Sequence, residues 1–398
     1  MARQPTAQPA PQPAPEPVAT TGGPPAHEAG GILTIDLAAI HANYRLLAGR
    51  VVPGECAAVV KGDAYGCGID QVSAALSRAG CKTFFVANLT EARRVRAQAQ
   101  EATIYVLNGF SSGSAQSFVD CDARPVISSS VELAEWDNFV ASSKWTGGAA
   151  LHVDTGMNRL GLTIEEAAAV APRIQTSSHS VALLMSHLAC ADQPNHPLND
   201  RQIRQFREIR SLFRGISSSL ANSPGIFLDS STYCDMVRPG VALYGGNPTP
   251  GQANPMRPVV RLEGRIIQLR TAETGETVGY NAQWTVGRRR RLATVSVGYA
   301  DGYPRAASAT DAKRDAQIAT GEAIVAGLRC PFAGRVSMDL IAVDVSDVPE
   351  GAVRRGDLVT LIGDDLTIDE VGRRAGTIGY EVLTSLGRRY ARRYLGGW

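Results

Sequence analysis

From about residue 32, short apolar runs alternate with longer segments of helical spacing. The runs are Ile32–Leu37, Cys56–Val60, Thr83–Ala87, Thr103–Leu107, Pro125–Ile127, Ala149–Val153, Val181–Met185 and Val237–Tyr244. Between most of them lie Ala- and Arg-rich stretches such as Ile69–Ala79 and Leu198–Phe213. Short strands that are apolar throughout, separated by helices, predict a parallel α/β sheet, because helices cover both of its faces. The length suits a (β/α)8 TIM barrel.

The pattern changes after the Gly- and Pro-rich loop Gly245–Pro258. Val259–Leu269, Leu292–Val297, Glu322–Ala326, Leu340–Val345 and Asp357–Ile362 read as strands, and no long helical pattern intervenes until about Asp369. The expected layout is a Pro-rich tail over 1–30, a barrel over 31–255 and a mostly β domain over 256–398. The tail carries eight prolines among Ala, Gln, Thr and Gly, a composition that favours extended, disordered chain.

Composition narrows the function classes. A hydrophobic content of 44% and a net charge of +2 describe an ordinary soluble protein. The one basic cluster, Arg288–Arg291, lies between predicted strands and reads as a solvated loop, so no nucleic-acid partner is expected. No apolar stretch approaches the roughly 20 residues of a membrane span. The N-terminus lacks a signal-peptide layout. The seven cysteines are odd in number and show no C-x-x-C spacing, so reduced thiols in the cytoplasm are expected. HExxH, Walker A and complete GxGxxG motifs are absent.

Candidate chemistry begins with AAVVKGDAYGCG, Ala57–Gly68. Of 40 Lys+Arg only four are lysines, at 61, 82, 144 and 313. Lys61 stands where an apolar strand stops, which in a barrel is the face that carries chemistry. A lysine amine can lose its proton and bond covalently to a carbonyl, whereas guanidinium stays charged. The plainer reading is a snorkelling lysine at a strand end.

Other stretches carry weaker signals. HVDTGMNRLGL presents Arg159 on a Gly-flanked loop, as a carboxylate clamp or an ordinary ion-pair partner. HLACADQ offers His187, a ligand contact or a hydrogen-bonded loop residue. Ser223 in ANSPGIF, with the backbone of Gly240 and Val241 in MVRPGVALYGG, could bind an anion at the late βα loops. SVGYADGYPR and GRVSMDL fall in the β domain, where Tyr299 is either a turn residue or a general acid/base.

In this order and spacing, VVKGDAYGCG, DTGMNRLG, VRPGVALYG, GYADGYPR and GRVSMD resemble the alanine racemase family, pyridoxal 5'-phosphate (PLP) enzymes of fold type III. The resemblance spans about residues 32–398. It implies L-/D-alanine interconversion by two bases, supplying D-alanine for peptidoglycan, in a homodimer with shared active sites. It implies that Lys61 holds PLP covalently and that Tyr65, Ser223, Gly240, Val241 and Tyr380 surround its phosphate. Arg238 would face the pyridine nitrogen, with His187 near the ring. Arg159 would contact the cofactor's phenolic oxygen and the substrate carboxylate. Tyr299 and Met338 would reach the partner's site. Lys61 would take the proton from the D enantiomer and Tyr299 from the L.

Two positions depart from the family pattern. Many relatives carry a carbamylated lysine where this chain has His152, so something else must steady Arg159, a bound anion or His152 itself; His152 equally reads as a strand residue with no such role. Cys67 stands where histidine is common. A racemase of wider scope, acting on serine as well, would use the same bases. A fold-III decarboxylase would place a carboxylate at Arg238, and a non-catalytic PLP carrier would lack the β domain.

Overall fold

The computed structural model describes residues 23–143, 145–176 and 181–396. Most of the Pro-rich tail, and Lys144, lie outside the described residues.

The barrel strands are Glu55–Cys56 continued by Ala58–Val59, then Thr83–Val86, Thr103–Val106, Ala123–Ile127, Ala149–His152, Val181–Met185, Ser217–Ser219 and Met236–Val237. All neighbours pair in parallel, and the last strand pairs with the first half of the first, so the sheet closes on itself. Thr83–Val86 and Ala149–His152 are buried at every position. A strand between barrel interior and outer helices has no solvated face, hence the unbroken apolar runs.

Two elements differ from the expected series. The run Gly31–Asp36 is not a barrel strand. It pairs antiparallel with Val260–Ala272 and parallel with Ala391–Leu395, inside the β domain. The first described strand therefore lies in the second sheet, and the chain enters the barrel side through the helix Leu37–Arg50, whose first turn is capped by Asp36 through the Ala39 amide at 2.9 Å. The strand that makes up the number is Ser217–Ser219, seventh in chain order, which has no apolar residue. Ser218 Oγ donates to Asp235 and Ser219 Oγ to the Met236 carbonyl, so their hydroxyls are satisfied in the barrel wall.

The β domain is built on the 13-residue strand Val260–Ala272. Its first half lies between Gly31–Asp36 and Leu358–Ile362, and its second half pairs with Arg290–Val295. The basic cluster is paired here: Arg290 with Asp344, Arg289 with Glu273, and Arg288 with Asp347. The helices Ile368–Arg374 and Gly379–Ser385 follow, and the second reaches back over the mouth of the barrel. Among the described residues no helix is long and apolar enough to cross a membrane.

Candidate active site

The C-terminal ends of the barrel strands open into a cavity of about 730 Å³. Lys61, Arg159, His187, Ser223 and Arg238 reach it from five different barrel loops, and Tyr380 closes one side from the β domain. Val59, Leu107 and Met185 give it apolar walls.

Lys61 follows the first strand directly. Beyond it, Gly62 through Gly66 all have positive φ, between 53° and 76°. For Asp63, Ala64 and Tyr65 that conformation costs roughly 1–2 kcal/mol each, so the fold must impose it. Gly66 has a second reason to be glycine: a Cβ there would lie 2.2 Å from the Leu383 carbonyl oxygen. The Lys61 side chain is accessible, but into the cavity. Burial lowers its pKa, as does the cation of Arg159, while Glu91 raises it.

The left-handed turn swings Tyr65 into the barrel mouth. Its ring stacks on Tyr244 at 4.6 Å and meets Tyr380 at 6.2 Å. Burial raises the Tyr65 hydroxyl well above the usual phenol range, so it stays a hydrogen-bond donor. Gly240 lies directly beneath, where a Cβ would come within 2.2 Å of that hydroxyl. The Gly240 and Ala242 amides donate to Ser223 Oγ at 2.9 and 3.2 Å. A hydroxyl that already accepts twice has its own hydrogen left to donate. Tyr65 and Ser223 thus present two hydroxyl donors at one end of the cavity, a fit for a phosphate.

Arg238 is buried in the barrel interior, over the Phe85 ring at 5.8 Å. It donates to Ser219 Oγ and to the carbonyls of Ser186 and Leu220. All three acceptors are neutral. Burial lowers its pKa to about 10, which still leaves it charged near neutrality.

His187 is held down at about 3 and His152 at about 4, by burial first and then by Arg238. Both are neutral at pH 7, so His152 supplies no negative charge to Arg159. In the unfolded chain both titrate near 6.5. Between about pH 6.5 and 4 the unfolded state therefore binds more protons, and stability falls as pH falls through that window. The double variant His152→Gln/His187→Gln is expected to flatten the decline of Tm from pH 7 to 4.5. An unchanged slope would show that these imidazoles are not the groups responsible.

Tyr299 and Met338 do not line this cavity. They sit together on the β domain, where the Tyr299 amide donates to the Ser337 carbonyl at 3.0 Å and the Ala300 amide to the Met338 carbonyl at 2.9 Å. Both side chains are exposed, at 40% and 53%. One chain thus brings together nine of the eleven expected site residues and leaves these two facing outward.

Residues 35–248 match the alanine racemase N-terminal domain family and residues 259–394 the alanine racemase C-terminal domain family. This chain belongs to the alanine racemase family. An alanine racemase of Methylobacterium nodulans is 55% identical over 368 residues, covering 92% of this chain and 97% of that protein. One of Rhizobium meliloti is 46% identical, with 92% and 97% covered. The crystal structure of alanine racemase from Bartonella henselae with covalently bound pyridoxal phosphate superposes with a TM-score of 0.85. It is 37% identical and covers 92% of this chain and all of that one. The racemase barrel here also exposes what its sequence motifs hid: Glu91 and Arg94, on the helix Leu89–Gln98, grip the turn after Lys61. The only sequence signal for them was their shared helix face, three residues apart.

Proposed function

We propose that the protein interconverts L-alanine and D-alanine with PLP held on Lys61, as a cytoplasmic homodimer in which Tyr299 and Met338 of each chain complete the partner's cavity. Its product would serve peptidoglycan assembly. The observation that carries the reading is one lysine, in a lysine-poor chain, facing two hydroxyl donors and a buried arginine across a single cavity.

PLP, when bound, supplies the electron sink that lets the Cα–H bond of alanine break. The residues do the rest. Tyr65, Ser223 and the backbone at Gly240 and Val241 would hold the phosphate, the Gly240 amide being shared with Ser223 Oγ, and Tyr380 would close that side of the cavity. Val59, Leu107 and Met185 would exclude water from the cavity. Arg159 orients the substrate carboxylate. Inversion requires a proton to leave one face of Cα and another to arrive on the opposite face, which one base cannot serve well. Lys61 works on the face it shares with its own barrel, taking the proton from the D enantiomer. Tyr299 of the partner subunit works on the other, taking it from the L. The outward exposure of Tyr299 and Met338 supports this division, since neither reaches the Lys61 of its own chain.

Complementation tests the proposal. Lys61→Ala and Tyr299→Phe are each expected to be inactive as homodimers. Mixed after subunit exchange, they should regain activity, because one site in each heterodimer has both bases. No recovery despite exchange shown by mass spectrometry would exclude the shared site. Relative kcat/KM for alanine and serine would show whether the substrate range is wider.

A further inference from the structure

We propose that Glu91 is a positioning residue for Lys61: its carboxylate fixes the left-handed turn from which the amine emerges and acts on that amine as an anion from there. The inference rests on reading Lys61 as the lysine that holds PLP.

The turn's own backbone bonds, from the Gly66 amide to the Gly62 carbonyl at 2.8 Å and from the Gly68 amide to the Asp63 carbonyl at 2.9 Å, do not use the Gly62 and Asp63 amides. Its residues adopt positive φ in succession, and three of them carry side chains that disfavour it. Successive amides in such a turn point the same way and form a small anion nest. Glu91 fills it. Its Oε1 accepts from the Gly62 amide at 2.7 Å and the Asp63 amide at 3.1 Å. Its Oε2 accepts from the Ala87 amide at 2.8 Å. One carboxylate therefore ties the loop after the first barrel strand to the loop after the second, immediately beside Lys61.

Glu91 is itself fixed. It sits in the first turn of the helix Leu89–Gln98, and its own amide donates to the Asn88 cap at 3.0 Å. One turn along the same face, Arg94 bridges Asp63 at 2.7 Å and Asp70 at 3.0 and 2.7 Å. The far end of the turn is held separately, by Arg392 on the Gly66 carbonyl at 2.6 Å and Tyr394 on the Cys67 carbonyl at 3.0 Å. Among the described residues, only Glu91 grips the Gly62 and Asp63 amides next to Lys61.

The electrostatics agree. Arg159 and Arg238 face the cavity as cations, and His152 and His187 are neutral there. Tyr65 and Tyr380 remain protonated phenols. Glu381 lines the mouth from the helix Gly379–Ser385, where Thr377 donates to it. Burial and Arg159 lower the Lys61 amine; of the groups acting on it, Glu91 alone opposes them.

The test uses the full chain and needs no turnover for its main readout. In cofactor-free protein, trace acetylation across pH 6–11 is followed at Lys61 by peptide mass spectrometry, with Lys82 and Lys313 as references. In Glu91→Gln the Lys61 midpoint should move to lower pH while the references stay. After PLP is restored, kcat should fall about 10–100-fold, the order expected for a small misplacement of a reacting group, with KM changed by less than about threefold. Tyr394→Phe, which loosens only the far end of the turn, should leave the Lys61 midpoint in place. An unmoved midpoint in Glu91→Gln, or an equal shift in Tyr394→Phe, overturns the proposal. If Glu91→Gln does not fold, hydrogen exchange in the unsubstituted holoenzyme decides. The Gly62 and Asp63 amides should exchange at least about 100-fold slower than free peptide, and fast exchange there overturns it. Borohydride mapping of the pyridoxyl group to another lysine would sink the function proposed for Lys61 but leave these midpoints readable, so the two failures are distinct.

Discussion

Replacing Lys61 with alanine is expected to abolish racemisation and covalent retention of PLP together. The loss in kcat should be at least about 10³-fold, the order seen when a group that performs the chemistry is removed. In the function proposed, two roles fall on this one amine: it would carry the cofactor and, once released, exchange a proton at Cα. Lys61→Arg should be as inactive, although it keeps the positive charge. A guanidinium neither loses its proton near neutrality nor bonds to a carbonyl carbon in this way. That pair of variants separates chemistry from charge. The check is a coupled assay for D-alanine, with borohydride reduction of the unsubstituted protein followed by peptide mapping. Pyridoxyl on Lys82, Lys144 or Lys313 would remove Lys61 from the mechanism.

Much of the site was legible because local chemistry betrayed it. A lysine at the end of an apolar run stands out in a chain that otherwise uses arginine. Arg238, Gly240 and Val241 lie within four consecutive residues, so one motif carried all three. What stayed hidden was tertiary. The strand Ser217–Ser219 has no apolar signal because it lines the space occupied by Arg238. Ser219 Oγ accepts from that guanidinium, and a larger apolar side chain there would fill its place. Gly31–Asp36 reads like a barrel strand, since alternation and burial look alike whichever sheet receives the strand. The expected count of eight barrel strands is reached with one element exchanged for another. Glu91, apart from the helix face it shares with Arg94, was hidden for a third reason. Its partners are backbone amides, and amides leave no mark in a sequence.

Arg238→Glu tests the choice of reaction most directly, and two effects are expected from it. Arg238 lies in the barrel interior, donating to Ser219 Oγ and to the Ser186 and Leu220 carbonyls, with Phe85 beneath. At a pKa of about 10 it keeps its protons at working pH, so it cannot hold one on loan for the pyridine nitrogen it is proposed to face. A glutamate there would be surrounded by carbonyl oxygens and low-dielectric protein, which favour its protonated form. It could then share that proton with the nitrogen and make the ring a stronger electron sink. Charge developed at Cα would be drawn away from it. Racemisation should slow by about 10²–10³, the usual cost of removing one preorganised group. Reprotonation away from Cα should gain, so pyruvate released per D-alanine formed should rise. Arg238→Gln is the necessary control, because an amide cannot share a proton in this way. It should lose rate without raising the pyruvate ratio. A raised ratio in both variants would mean that a loosened site, not the proton at the nitrogen, lets the side reaction in. An unchanged ratio in a glutamate variant that still binds PLP would mean that Arg238 does not govern the ring, and its burial over Phe85 would then serve the barrel interior alone.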